Sequence, residues 1–275
     1  MKKFISVILT FAMICVSLVA FASCGKKGGL YDGLSVLKTD IFTQENYGVA
    51  FRKGSDLAVR LDEMFAELYA NGEAKKVAQK YGLDGSIVTD FEKGTSTSTS
   101  TSDYDYIKSK GELAIGVTVF KGMDEQNANG EWIGYDADMA KKFAEKLGVK
   151  AKFVEIDWDN KLIDLEAKTI DCIWNGMTIN DGILNACEVS GTYMVNGQVL
   201  VIKDGAFASI EALSGKKIAV EGGSAGFSQA TENFKNSEIK EVTAQVDALM
   251  EVAAGTSDAC IVDYVLAKSL LKNID

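Results

Sequence analysis

The 275-residue chain contains no histidine and no proline. The lack of His excludes serine–histidine catalysis and histidine-ligated metal sites. Average usage of ~5% would give about 14 prolines in a chain this long, so their absence is a compositional oddity. Cysteine is scarce. Of five, Cys15 lies in the N-terminal apolar run and Cys24 just after it. Cys172, Cys187 and Cys260 are an odd remainder without CxxC pairing and read as small buried hydrophobes; one disulfide stays open, its partners unnamed. Beyond residues 4–21 no apolar run approaches the ~20 residues of a membrane span. Basic residues are outnumbered, and the net charge of −10 argues against nucleic acid or an anionic membrane surface as partner. No metal and no cofactor is expected.

The first segment present is an address. Lys2 and Lys3 precede the apolar run, which closes in Phe21-Ala22-Ser23-Cys24. This is a charged n-region, an h-region and small residues before a cut. The ending resembles the lipobox of bacterial lipoproteins, with Phe21 where such motifs usually carry Leu. The resemblance implies a signal peptide over 1–23, a lipid on the Cys24 thiol and a flexible membrane tether over 24–29. An ordinary secretory signal or a short membrane anchor is the other reading. Each puts the mature chain outside the cytoplasm at a bacterial membrane, on the cell surface or in the periplasm. The whole chain is 47% hydrophobic, and its mature part can build real cores in two small domains or one large one.

Residues 94–102, GTSTSTSTS, carry no apolar side chain and read as a linker. After it, strands are expected at 112–119, 151–156, 170–174, 198–202, 217–220, 238–242 and 259–262. Helices are expected at 136–147, 161–167, 225–233, 244–254 and 264–271. This alternation predicts parallel sheets covered on both faces. Before the linker, strands are expected at 34–42 and 47–52. A helix capped by Ser55 should run to residue 69, and a second over 73–81 should stop at Gly82. That first piece is too small to bury its own apolar surface, so it should complete the sheets of the larger one.

Five segments carry a resemblance: 130–140 (GEWIGYDADMA), 154–159 with 170–179 (VEIDWD, IDCIWNGMTI), 220–226 (VEGGSAG), 255–263 (GTSDACIVD) and 47–57 (YGVAFRKGSDL). Together they resemble the polar amino-acid-binding proteins of ABC importers. The resemblance implies a two-lobed α/β fold of the type II periplasmic-binding-protein kind, with a central mixed sheet in each lobe. The order departs from the family, because the segment resembling its C-terminal part comes first here. The simplest reading is a circular permutation in which 94–102 joins the family's usual ends. Lobe 1 would then be 44–201, including the linker, and lobe 2 would be 30–43 plus 202–275. The crossovers would lie near 43–45 and 202–204. A ligand would bind between the lobes at the strand ends.

The resemblance also implies site residues. Asp263 stands where the family binds the ligand ammonium, although it also suits the N-cap of the following helix. Gly176 and Thr178 lie in a loop expected after strand 170–174, where the family contacts amino and carboxylate groups. Ser224 and Ala225 open a helix where hydroxyl and backbone donors are presented. Plain turn chemistry is the alternative for both loops. Phe120 and Trp158 would sandwich the ligand, or else pack an interlobe lip. Asp124 and Glu125 are nearby acids. The family's carboxylate-binding Arg falls at Ile183, which cannot form a guanidinium clamp. Either Thr178, Ser224 and helix N–H groups hold the carboxylate, or the ligand is not a standard amino acid. The implied function is a monomeric, non-enzymatic lipoprotein that delivers an amino acid or amine to an ABC transporter permease. The alternatives are an enzyme resembling cyclohexadienyl dehydratase, with Glu125 or Asp157 as acid, and an extracellular sensory module.

Overall fold

The structure, a computed structural model, describes residues 29–37, 43–272 and 274. The signal segment and Cys24 lie outside the described residues. Among the described residues, no helix is long and apolar enough to cross a membrane.

The segment before the linker supplies β1 (Leu34–Val36), β2 (Gln44–Arg52), α1 (Leu57–Ala70) and α2 (Glu73–Lys80). Of the strand expected over 34–42, residues 38–42 lie outside the described residues. Tyr47, Val49, Ala50 and Phe51 are all fully buried, so β2 is covered on both faces. The apolar stripe Leu57, Leu61, Met64, Phe65, Leu68 turns α1 onto the same core. The N-cap position is Asp56 rather than Ser55, whose Oγ accepts from the Leu57 N–H. The linker is partly packed, contrary to a free tether. Gly94 N–H donates to Asp62 at 2.7 Å and Ser98 Oγ donates to the Gly54 carbonyl at 2.6 Å. Its last residue already opens α3 (Ser102–Lys110), which the pattern did not announce.

The larger piece follows with β3 (Glu112–Val117), the hairpin β4 (Glu125–Gln126) and β5 (Trp132–Ile133), α4 (Tyr135–Leu147) and β6 (Lys150–Glu155). Then come α5 (Lys161–Glu166), β7 (Cys172–Thr178), α6 (Asp181–Ala186), β8 (Cys187–Val189) and β9 (Met194–Lys203). The last third is β10 (Lys217–Glu221), α7 (Ala225–Asn233), β11 (Glu238–Val242), α8 (Gln245–Ala254), β12 (Ala259–Asp263) and α9 (Tyr264–Leu270). β7 runs on through Thr178, so Gly176 and Thr178 sit at a strand end rather than in a loop. Cys172, Cys187 and Cys260 are free and buried.

The strands hydrogen-bond in one path, β11-β10-β12-β9-β2-β7-β3-β6, with β1 on β9 and β8 on β2. Parallel pairs lie toward both ends of this mixed sheet, and antiparallel pairs lie in the middle. β9 is the seam. Its residues 194–197 pair with β2, while 198–202 pair with β12. The change of partner therefore falls at Gly197–Gln198, before the 201/202 division drawn from sequence. β2 pairs with β7 through Ala50↔Ile173 and Phe51↔Cys172, although more than 100 positions separate them.

Aromatic contacts join the first segment to the rest. Phe65 meets Trp174 edge-on at 5.8 Å, and Phe51 meets Phe143 at 6.1 Å. Full burial of each such side chain contributes about 1.5–3 kcal/mol. At the end of β2, Arg52 bonds Asp103 and buried Asp171 at 3.1 Å each and the Ile170 carbonyl at 2.9 Å. One guanidinium thus ties β2 to α3 and to the approach of β7.

Candidate ligand-binding site

A cavity of about 230 Å³ opens at the seam. One wall is the β6–α5 corner with Trp158 and Lys161, and the end of β7 with Gly176 and Thr178. The opposite wall is Glu221, the β10–α7 turn with Ser224 and Ala225, Gln245 at the start of α8, and Asp263 at the end of β12. Strand ends of both halves thus converge on one cavity, as open α/β sheets favour.

Asp263 is 5% exposed. It occupies the N-cap position of α9 but makes no capping bond there. Its Oδ1 instead accepts from Asn196 Nδ2 at 2.6 Å and from Gln198 Nε2, and its Oδ2 accepts from Gln245 Nε2. Glu45 of β2 shares these donors. Its Oε2 accepts from Asn196 and Gln198 at 3.0 Å and from Thr178 Oγ1 at 3.2 Å. Burial first, and the Glu45 charge second, push the Asp263 carboxyl up to about 7 against the pull of its three amide donors.

Glu221 is 2% exposed, and its Oε1 has no hydrogen-bond partner among the described residues. Burial, then the Asp263 charge, push its carboxyl up to about 8; Thr118, Lys161 and Gln245 stand close enough to offset part of this. Among the described residues Lys161 is the only basic side chain lining the cavity. Its Nζ donates to the carbonyls of Trp158 at 3.0 Å and Gly223 at 2.9 Å, and lies 5.0 Å from the Trp158 ring centroid. Burial pulls its pKa down, and the charges of Glu221, Asp159 and Asp157 oppose that.

The remaining residues position these. The Gly176 N–H donates to Asp136 Oδ2 at 2.8 Å, and the same oxygen takes the Tyr193 hydroxyl at 2.8 Å. Asp136 belongs to the GEWIGYDADMA segment, so that motif acts here by holding the end of β7. Gly176 has φ +58°, and a Cβ would come 2.9 Å from Phe120 Cε1 and 3.0 Å from Tyr47 Cε2. Ser224 Oγ accepts from the Phe227 N–H at 3.1 Å and so caps α7. Ile183 is 4% exposed and packs in one cluster with Trp158, while its N–H is held by Asn180, the cap of α6.

Of the residues proposed from sequence, Trp158, Gly176, Thr178, Ser224, Ala225 and Asp263 line one cavity. Phe120 does not line it; it is 2% exposed and lies behind Gly176 in the core. Asp124 is wholly buried and accepts from Asn175 Nδ2 at 2.8 Å, and Glu125 pairs with Lys121 at 2.6 Å. Neither acid, nor Asp157, lines the cavity. Sequence reading missed Glu45, Lys161, Glu221 and Gln245. The one available signal was an acid ending an apolar strand at Val220-Glu221-Gly222-Gly223.

A family model described as bacterial extracellular solute-binding proteins, family 3, matches residues 113–260, more than half of the chain. The L-cystine-binding protein TcyJ of Escherichia coli (strain K12) is 28% identical over 170 residues, which are 60% of this chain and 64% of that protein. The chain thus spans just under two thirds of that relative. The arginine-bound form of a truncated ArgBP from T. maritima superposes with a TM-score of 0.56 at 32% identity, covering 60% of this chain and 79% of that one. An ancestral amino acid-binding protein described as a precursor of cyclohexadienyl dehydratase superposes with a TM-score of 0.56 at 30% identity, covering 60% and 75%.

The buried acid predicts a pH signature. Below the ordinary value of 4.5, Glu221 is neutral folded or unfolded, and its contribution to stability is fully present. That contribution is lost as pH rises toward about 8, because the unfolded chain ionises first. Glu221→Gln should therefore gain stability relative to the wild type between about pH 4.5 and about pH 8 and then level off. The slope should not exceed about 1.4 kcal/mol per pH unit. Urea unfolding across that range measures the difference; a pH-independent difference would show that Glu221 ionises normally.

Proposed function

The chain belongs to the bacterial extracellular solute-binding proteins, family 3, and from that premise we propose that it captures a cationic amino acid or related amine in the seam cavity for an ABC importer. The observation that carries this reading is the charge of the cavity. Asp263 and Glu221 line it with Lys161 as the single cation, and Glu45 stands one hydrogen bond behind. Buried carboxylates whose donors among the described residues are neutral amides and hydroxyls gain most from an ammonium or guanidinium. Trp158 adds an aromatic face at the mouth. β9 pairs with β2 in one half and with β12 in the other, and hinge closure over a solute is the motion such a strand crossover suits. Arginine, which relatives bind by their names, is cationic and supports the choice; cystine, which another relative binds by its name, shares only the α-ammonium groups.

Titration calorimetry of the mature chain against L-arginine, L-cystine and their decarboxylated amines tests this. Binding without turnover is expected, and turnover of a panel member would favour the enzyme reading instead. Asp263→Asn should cost roughly 2–5 kcal/mol of affinity, the range for breaking a buried charge pair. Wild-type affinity should rise with pH through about 7 to about 8, with protons released, because a cation favours the ionised acids. Unchanged affinity in Asp263→Asn would leave the residue a purely structural role.

We further propose that the protein is a monomer lipid-anchored through Cys24 outside the cytoplasm. The FASC ending supports this. Metabolic lipid labelling should disappear in Cys24→Ser; labelling that persists would exclude the anchor.

The segment order is proposed to be a circular permutation. The place of β2 between β9 and β7, and a family match that begins only at residue 113, support it. A chain relinked from residue 275 to residue 30 and opened within 94–102 should fold and titrate like the mature protein. Loss of folding in that chain would count against it.

A further inference from the structure

We infer that Lys161 is the partner of the ligand carboxylate, acting together with the first turn of α7. This rests on the reading that the cavity takes an amino-acid-like solute. Among the described residues Lys161 is the only basic one on the cavity wall, and Ile183, which also lines it, is apolar. An ammonium has three donors. Two are spent on the carbonyls of Trp158 and Gly223, and no carboxylate lies within ion-pair distance of it among the described residues. The third donor faces a cavity whose other charged groups, Glu221 and Asp263, are acids.

The location of Nζ gives the inference its geometry. Gly223, whose carbonyl it touches, directly precedes Ser224, the cap of α7. The first turn of this nine-residue helix contains no acidic side chain, and Ala225 lines the cavity. An anion between Nζ and that turn would receive an ammonium and free backbone N–H groups at once. Contact across the seam is tight here. Gly223 has φ +63°, and a Cβ on it would come 2.8 Å from Asp159 Cα, two residues before Lys161. On the cation side, Glu221 offers its unpartnered Oε1 in the same cavity. The cavity therefore presents an anion subsite and a cation subsite to one zwitterion, with the anion charge supplied from the β6–α5 corner.

The competing reading is that Lys161 only latches the two halves together through the Gly223 carbonyl. A cycle between protein charge and ligand charge separates the two. Wild type, Lys161→Met and Lys161→Arg are titrated with L-arginine and with agmatine, and with L-cystine and cystamine. Each pair differs only in carboxylate content. If Lys161 binds the carboxylate, Lys161→Met should weaken the amino acid by about tenfold or more, the scale of a charged hydrogen bond. The same change should alter the amine by no more than about twofold, and Lys161→Arg should recover much of the loss. Melting of the unliganded variants checks that they fold; should Lys161→Met not fold, Lys161→Gln takes its place. Equal losses for amino acid and amine, or no loss for either, would overturn the assignment. A wild type that binds no member of the panel would instead overturn the transport reading, and this inference with it.

Discussion

Glu45 and Asp263 draw on the same two amide donors, Asn196 and Gln198, at the point where β9 leaves one half of the sheet for the other. For Asp263 this is an unfavourable arrangement on its own, since burial and the neighbouring Glu45 charge both oppose its ionisation. The arrangement persists because the surrounding sheet over-determines it. Asn196 and Gln198 are two apart on one strand, so their side chains share a face, at the place where the partner of β9 changes from β2 to β12. Asn196 also takes the Val265 N–H, which ties the first turn of α9 to the same point. A cation entering the cavity would relieve the repulsion.

A second buried acid holds the frame around that site. Asp136 receives Gly176 from β7 and Tyr193 from the entry to β9, so α4 sets the positions of both strands that reach the seam. Burial pushes this carboxyl up to about 7, and the donors it receives act against the shift. Arg52 does comparable work at the far end of β2, where it ties that strand to α3 and to Asp171. These bonds make residues 44–93 part of a larger core instead of a module appended to it.

Much of the architecture could be read before folding, because alternation and capping are local. Helix 225–233 and strand 238–242 were placed to the residue. Their apolar spacing and the Ser224 cap depend only on neighbours in sequence. Local patterns failed where a strand or helix owes its form to a partner. β9 starts at Met194, four residues before the strand expected over 198–202, because Asn196 and Gly197 are held by β2. α3 is mostly Ser, Asp and Lys and only Asp103 and Ile107 are buried, so its periodicity carries little signal.

The site divides along the same line. Trp158, Thr178, Ser224 and Asp263, which the motif register singled out, line one cavity, and each sits near a strand end or helix start, positions that have local signatures. Phe120 also follows a strand end, yet it is buried beside Gly176 and does not line the cavity. Glu45, Lys161 and Glu221 had no local signature that set them apart from solvated charges. Their roles arise from burial and from mutual distance, and both are set only when β2, β9, β10 and the β6–α5 corner meet. Charge composition is written in the chain; which charges lose their water, and which then face each other, follows from packing between segments far apart in sequence.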